Sequence, residues 1–276
     1  MLTAGLRHNV RVRALLIGTT AMILALVCGA VAADFGAAIY AEYRLARTLR
    51  AEAGLGFDPW VGILRFPFIP QALAQHYKQV EFKASGVERP IIGEATLEAT
   101  LYSIDLAQAS WLIRPEAPLP VGKAESRILI DSTHLGRFMG INDLLVEAPP
   151  KDINDATGGT TESGISSSIG LVFTGTPKAA GFYDRVSVSV NLSMAGPDRS
   201  TLVLTATGVI TGPATADRTV PDDKLGAVLT AFSKSLPAQK LPFGLAPDRE
   251  GVRGSDVIIE GIAEGLTLRL DEFKMT

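Results

Sequence analysis

The feature that most constrains this chain is a run of twenty residues without a charged side chain, from Ala14 to Ala33. Arg7, Arg11 and Arg13 precede this run, and Asp34 follows it. A helix rises about 1.5 Å per residue, so the run spans roughly 30 Å, which matches the hydrocarbon core of a bilayer. Positively charged flanks stay in the cytoplasm. The sequence therefore predicts that the rest of the chain lies in the cell envelope, outside the cytoplasm.

Two fates of this segment remain open. The A-x-A pattern at residues 30–32 is typical of a cleaved signal peptide, whereas the length of the run also suits a retained anchor. Cys28 follows the bulky Val27 where a lipid-attachment motif needs a small residue, which favours a cysteine packed in an apolar helix. We divide the chain into residues 1–33, a signal peptide or single transmembrane anchor, and residues 34–276, one domain that is membrane-anchored or secreted to the periplasm.

The composition of residues 34–276 excludes two classes of protein. This part contains no cysteine, so it has no disulfide and depends on its own core. It carries 23 basic and 29 acidic residues, a net charge of −6. Nucleic-acid-binding domains carry the opposite charge, so we expect no nucleic-acid partner.

Alternation of apolar and polar residues predicts most of the regular structure. Strands are predicted at 80–84, 97–101, 186–194, 201–210 and 266–270, with 186–194 and 201–210 forming a hairpin. Helices are predicted at 35–50 with Asp34 as its cap, at 135–141 after Ser132, and at 222–235. The Gly-, Ser- and Thr-rich stretch 151–168 is predicted to be a loop within the domain. These elements indicate an α+β fold.

Catalytic and metal-binding motifs are absent from the sequence. Asp131, Ser132 and His134 are too close together along the chain for a nucleophilic relay, so a helix cap with a surface histidine is favoured. Asp222 and Asp223 precede a predicted helix and suit the positive end of its dipole. We therefore expect no enzyme, no catalytic residue, no metal and no cofactor.

The most unusual stretch runs from Trp60 to Leu73, where apolar side chains surround Pro67 and Pro70. The two prolines exclude a regular helix and predict a rigid apolar loop. Its core, Phe-Pro-Phe-Ile-Pro-Gln at residues 66–71, resembles the signature of the LmeA-like phospholipid-binding proteins of actinobacteria. Their usual pattern is Gly-Phe-Pro-Phe-Leu-Thr-Gln, so Arg65 stands here in place of the glycine. The resemblance extends to the acidic start at Asp34 and to a Leu-Pro-Phe-Gly-Leu turn at 241–245.

This resemblance implies an elongated, highly twisted antiparallel sheet wrapped around a few helices, of the TULIP or BPI-like lipid-binding type. It also implies an exported envelope protein that binds phospholipid, including phosphatidylinositol, at the outer face of the cytoplasmic membrane. Such proteins support the synthesis or upkeep of mannosylated envelope lipoglycans.

The apolar loop supplies the expected lipid-binding residues. A lipid with about 30 methylenes, at roughly 0.8 kcal/mol each, needs a long apolar groove, and the loop suits a mouth that touches the membrane. The apolar candidates are Trp60, Ile63, Phe66, Phe68, Ile69, Leu73 and Phe82. Arg65 and Lys78 are the candidates for contact with a headgroup phosphate. Phe66 and Phe68 also suit plain core anchors, and Arg65 also suits a solvated surface charge.

Two other functions are kept beside lipid binding. A non-enzymatic scaffold or accessory subunit of a membrane glycosyltransferase would have a packed core without a cavity. An enzyme would need a site that the sequence does not mark, such as a strongly perturbed pair of carboxylates in a cleft.

Overall fold

The computed structural model describes residues 3–106, 110–149 and 164–274, with side chains from residue 15 onward. The helices in these residues are α1 Thr3–Glu52, α2 Phe68–Leu73, α3 Ser132–Met139 and α4 Asp222–Phe232. The strands are β1 Trp60–Leu64, β2 His76–Arg89, β3 Gly93–Asp105, β4 Leu119–Ile130, β5 Leu145–Glu147, β6 Leu171–Gly175, β7 Val186–Ala195, β8 Thr201–Ile210, β9 Lys234–Leu236, β10 Arg249–Arg253 and β11 Asp256–Leu268. The α+β class predicted from the sequence is confirmed.

Helix α1 is a single rod that joins the apolar segment to the domain. It is long and apolar enough to cross a membrane, and residues 15–33 are exposed over their whole length. Beyond Asp34, one side of the same helix packs against the domain through Ala41, Leu45 and Leu49, which are all buried. The spacing of four residues places these side chains on one face. The exposed half and the packed half of α1 are therefore parts of one continuous helix.

The strands form two open antiparallel sheets. The first has the order β1-β2-β3-β4-β11-β10, and the second has the order β5-β6-β7-β8-β9. The predicted hairpin is confirmed, because Leu192 on β7 pairs with Leu204 on β8. The predicted strands at 80–84 and 97–101 lie in β2 and β3 and pair through Phe82 and Ala99.

One continuous core lies between the sheets and the helices. Alternate residues of β2 and β3 point into it, so Val80, Phe82 and Leu97 are fully buried, while the opposite faces of these strands carry charged residues. The rings of Phe82, Phe243 and Phe273 meet edge to face with centroids 5.5–6.2 Å apart. Such pairs contribute stability beyond the area they bury.

The helix limits differ from the sequence prediction in three places. The prediction that a helix begins after Asp34 is wrong, because α1 contains no proline and runs through Gly29 and Gly36 without interruption. Helix α4 ends at Phe232, and residues 234–236 form β9 instead of a last helical turn. Helix α3 ends at Met139, and Gly140, which follows it, takes a left-handed conformation with φ of 77°.

The loop predicted at 60–73 is a strand and a short helix, β1 and α2, joined by a turn at residues 65–67. The prediction for residues 151–163 lies outside the described residues, while residues 164–168 carry no helix or strand.

The Asp131–His134 group is the helix cap that the sequence favoured. The Asp131 carboxylate accepts hydrogen bonds from the backbone N–H groups of Thr133 and His134, at 2.8 and 2.9 Å. The His134 ring also contacts this carboxylate, and it is partly buried rather than at the surface. Burial alone would raise the pKa of Asp131, but these hydrogen bonds and the imidazole outweigh it and hold the pKa below its usual value.

Candidate functional site

An exposed apolar surface lies where α1 passes from the exposed segment into the domain. Its members are large apolar side chains of α1 and of the segment containing α2, namely Phe35 (54% exposed), Ile39 (63%), Phe66 (60%), Ile69 (36%) and Leu73 (79%). We call this set the α1–α2 apolar surface. The rings of Phe35 and Phe66 stack with their centroids 5.5 Å apart, which joins its two halves. A contiguous apolar patch marks a binding surface, whereas scattered apolar residues do not.

Two carboxylates on α1 fasten this segment in place. Asp34 is buried, and its two oxygens accept the backbone N–H groups of Phe68 and Ile69 at 2.8 and 2.7 Å. It therefore caps the first turn of α2 from a different helix, at a point where Pro67 has no side chain to do so. Glu42 accepts the N–H of Ile63 on β1 at 2.8 Å.

The turn between β1 and α2 is organised by Gln71. Its side-chain amide donates to the carbonyl oxygen of Arg65 and, at 3.1 Å, to that of Pro67, while its oxygen accepts the N–H of Lys78 at 3.0 Å. Arg65 has a φ of 75°, in the left-handed region that favours glycine. This conformation gives a physical reason for the glycine of the related signature at this position.

A cavity of about 240 Å³ lies beside the α1–α2 apolar surface, between α1, β1 and the segment 110–115. We call it the seam cavity. Its lining combines apolar side chains, including Leu45, Ile63 and Ile113, with polar ones, among them the exposed Arg44 and Arg114. A pocket with both apolar side chains and guanidinium groups suits a ligand that carries both an acyl chain and a phosphate.

Aromatic contacts connect the seam cavity with α2. Phe68 is buried and lies 5.8 Å from Tyr77 and 6.3 Å from Trp111, ring centroid to ring centroid. Tyr77 and Trp111 both line the cavity. The Tyr77 hydroxyl donates to the carbonyl of Trp111, and burial raises the pKa of Tyr77 to about 12. The surface and the cavity are therefore neighbouring parts of one region.

The structure brings together most of the residues that the sequence singled out. Phe66, Ile69 and Leu73 are exposed on the α1–α2 apolar surface, Phe68 packs beneath it, and Ile63 lines the seam cavity.

The two headgroup candidates also lie in this region. Arg65 is exposed at the β1–α2 turn, and its Nε donates to the Gln79 side chain at 3.1 Å. Lys78 is exposed near the start of β2. Their role at a headgroup stays a prediction.

Two candidates lie elsewhere. Trp60 is at the other end of β1, about 13 Å from Leu64 at the usual rise of a strand. Phe82 is buried in the aromatic cluster with Phe243 and Phe273. Their contact with lipid stays a prediction.

Sequence patterns did not point to several residues of the region. Arg44 falls within the helix predicted at 35–50 and carries no signal of a site, and Trp111 and Arg114 lie in a segment without periodicity. Asp34 was expected to cap its own helix, whereas it caps α2, 34 residues away along the chain. The sequence does offer one indication that Asp34 has hydrogen-bond partners. It is an acidic residue at the end of an apolar run, which is an unfavourable place for a charge without such partners.

Comparison with protein families decides the classification. The sequence profile described as LmeA-like phospholipid-binding matches residues 32–262. This chain belongs to that family. The family is a lipid-binding one and not a known enzyme class. Searches of curated proteins and of solved structures found no match.

Proposed function

We propose that this protein binds phospholipid at the outer face of the cytoplasmic membrane, with residues 34–276 as the lipid-binding domain. The observation that carries this proposal is the position of the α1–α2 apolar surface. Phe35 follows the uncharged segment by two residues, or about 3 Å of helix, so the surface begins where the membrane ends. The family match to residues 32–262 supports the same ligand.

Helix α1 is proposed to be a retained anchor rather than a cleaved signal peptide. It continues through residues 30–34 without a break, and Asp34 holds α2 by two hydrogen bonds directly after this point. A rigid connection of this kind sets the distance between the domain and the bilayer. Phe66, Ile69 and Leu73 would then enter the outer leaflet, where exposed apolar side chains are stabilised.

The lipid is proposed to lie partly on the α1–α2 apolar surface and partly in the seam cavity. At about 240 Å³, the cavity falls below the range of about 300–1,000 Å³ that is usual for enclosed ligand sites. It therefore suits the end of one acyl chain rather than a whole phospholipid. Arg44 and Arg114, together with Arg65 and Lys78, are the proposed contacts of the phosphate. Through this binding the protein would support the synthesis or upkeep of envelope lipoglycans, as its family resemblance implies.

A second function is favoured by the dense packing of the core. Little of the apolar face of the first sheet is accessible, since Val80, Phe82, Leu97 and Leu101 are all fully buried. A non-enzymatic scaffold for a membrane glycosyltransferase would have such a core. In that case, the α1–α2 apolar surface would bind protein instead of lipid.

Photochemical labelling separates the two functions. The full chain, reconstituted into vesicles containing a phospholipid with a diazirine on one acyl chain, is irradiated and digested. Lipid binding predicts labelled peptides from 60–73 and from 110–115, with none from the hairpin 186–210 of the second sheet. Labelling confined to residues 15–33 would refute lipid binding by the domain and favour the scaffold function.

A further inference from the structure

A second concave site lies on the opposite face of the first sheet, away from Phe82 and the core. It is a groove of about 700 Å³ lined mainly by charged and polar side chains, including Tyr102, Lys123, Arg127, Arg249 and Glu260. We call it the polar groove. It shares none of its lining residues with the seam cavity or the α1–α2 apolar surface.

The register of the sheet builds a row of alternating charge, and the members of this row on β4, β11 and β10 line the polar groove. Five residues are cross-strand partners in turn, from β2 to β10, in the order Lys83, Glu98, Arg127, Glu260 and Arg249. Neighbouring strands lie about 4.8 Å apart, so each of the three inner charges lies beside two of opposite sign. The Arg127 Nε donates to Glu260 Oε2 at 2.6 Å, and Lys83 lies 3.1 Å from Glu98.

The middle of the row, Arg127 and Glu260, is largely withdrawn from solvent. One end of this face is covered by a small apolar cluster of Leu129, Ile165 and Ile258. The N–H of Ser166 bonds the carbonyl of Val252 at 3.0 Å and so holds this cover in place. Glu260 has no exposed surface. A carboxylate that faces a groove and is nevertheless removed from water needs hydrogen bonds to both of its oxygens.

One oxygen of Glu260 lacks such a bond. Oε1 is buried and accepts no hydrogen bond from the described residues. The Arg249 guanidinium lies 3.9 Å from Oε1 and 3.8 Å from the Asp248 carboxylate. Both distances are longer than a hydrogen bond. Arg249 is also 44% exposed, so a ligand can displace its guanidinium without breaking a hydrogen bond to either carboxylate.

The numbers of positive and negative side chains that line the polar groove indicate which class of ligand it suits. Four cations and three carboxylates line the polar groove, and most are already paired with one another. An anion would meet the carboxylates, and a cation would meet the arginines. A hydroxyl group both donates and accepts, so a neutral ligand with many hydroxyls matches alternating donors and acceptors. The volume is within the usual range for a small ligand of this kind.

We propose that the polar groove binds a neutral saccharide, with Glu260 accepting and Arg249 donating hydrogen bonds to its hydroxyls. This site is independent of lipid binding, because it lies on the other face of the sheet.

The test is saturation-transfer NMR on the full chain, in a zwitterionic detergent that carries no sugar. The probes are maltotriose, mannotriose and cellotriose, with inorganic phosphate as an anionic comparison. At least one trisaccharide is expected to bind, and Arg249→Gln is expected to weaken it about tenfold, the usual effect of losing a hydrogen bond from a charged group. Arg269→Gln is the matched control, because Arg269 is similarly exposed and pairs with Asp271 outside the groove.

Two further variants keep the outcome interpretable. Ile262→Trp places a large ring in the polar groove and is expected to abolish binding, and unchanged circular dichroism will show that the variant folds. Glu260→Gln keeps the shape but exchanges one acceptor for a donor, and is expected to reduce binding. The proposal is overturned if none of the three trisaccharides binds, if Arg249→Gln binds as the unaltered chain does, or if phosphate binds in place of the sugars.

Discussion

The hydrogen bonds that Asp34 accepts from α2 give the most specific prediction about this fold. Replacing Asp34 by asparagine leaves one acceptor oxygen for two N–H groups, and it places an amide N–H₂ against the other. Asp34 is only 6% exposed, so the unpaired group gains little from water. The loss of a buried, charge-assisted bond and of a helix cap amounts to about 2 kcal/mol.

Hydrogen exchange of the full chain in nanodiscs measures this change. A local loss of about 2 kcal/mol corresponds to roughly 30-fold faster exchange of amides in residues 66–73. The hairpin 186–210 serves as the internal reference. Asp58→Asn is the matched control, because Asp58 is exposed, pairs with Arg50 at 3.3 Å, and such pairs contribute less than about 1 kcal/mol. Less than about threefold acceleration in Asp34→Asn would refute the proposed capping role.

Three further predictions concern the turn, the surface and the ion pairs. Arg65→Gly is expected to be more stable than Arg65→Ala by about 1 kcal/mol in thermal unfolding, because only glycine adopts the positive φ without strain; equal stability would contradict this. Leu73→Ser in residues 34–276 is expected to weaken vesicle binding about 30-fold, because about 2 kcal/mol of apolar burial is lost. The control Ile169→Ser is expected to leave vesicle binding unchanged. Equal effects of the two substitutions would argue against the α1–α2 apolar surface as the membrane contact. Burial alone would raise the pKa of Glu98, but Arg253 and Lys83 hold this pKa below its usual value. The ionised Glu98 therefore contributes fully to stability at pH values above the usual pKa, and this contribution is lost as the pH falls through the lowered pKa. Between pH 5 and pH 3, the free energy of unfolding is therefore expected to fall less steeply with pH in Glu98→Gln than in the unaltered chain. An unchanged slope would count against the ion pairs of Glu98.

Local patterns in the sequence predicted the strands well. Alternation along 80–84, 97–101 and 186–194 reflects strands with one buried face, and a two-residue period is visible without knowledge of the partner strand. The Asp131 cap was predictable for a similar reason, since it acts on N–H groups two and three residues away.

Contacts between distant segments could not be predicted in this way. Strands β4 and β11 are neighbours although about 130 residues separate Arg127 from Glu260, so no local pattern distinguishes two sheets from one. The same holds for Asp34, whose partners lie on another helix. A two-residue period also cannot show that Glu260 is buried in a groove, because polar residues on the outer face of a sheet are ordinarily solvated.

The resemblance supplied what local patterns did not. It rested on residues 66–71, and the contacts of Gln71 explain why that short motif is informative: one side chain holds both ends of the turn. The motif could not show which neighbours complete the site. Arg44 lies before this motif in the chain and Arg114 after it, and only folding brings both to the seam cavity.

The central claim, that the domain binds phospholipid, is tested most directly by native mass spectrometry of residues 34–276 purified without detergent. Lipid released from the protein is identified, and binding to vesicles of defined headgroup is measured on the same sample. Our account predicts close to one phospholipid per chain and binding to vesicles that depends on Leu73. A lipid-free protein that binds no vesicle would contradict it.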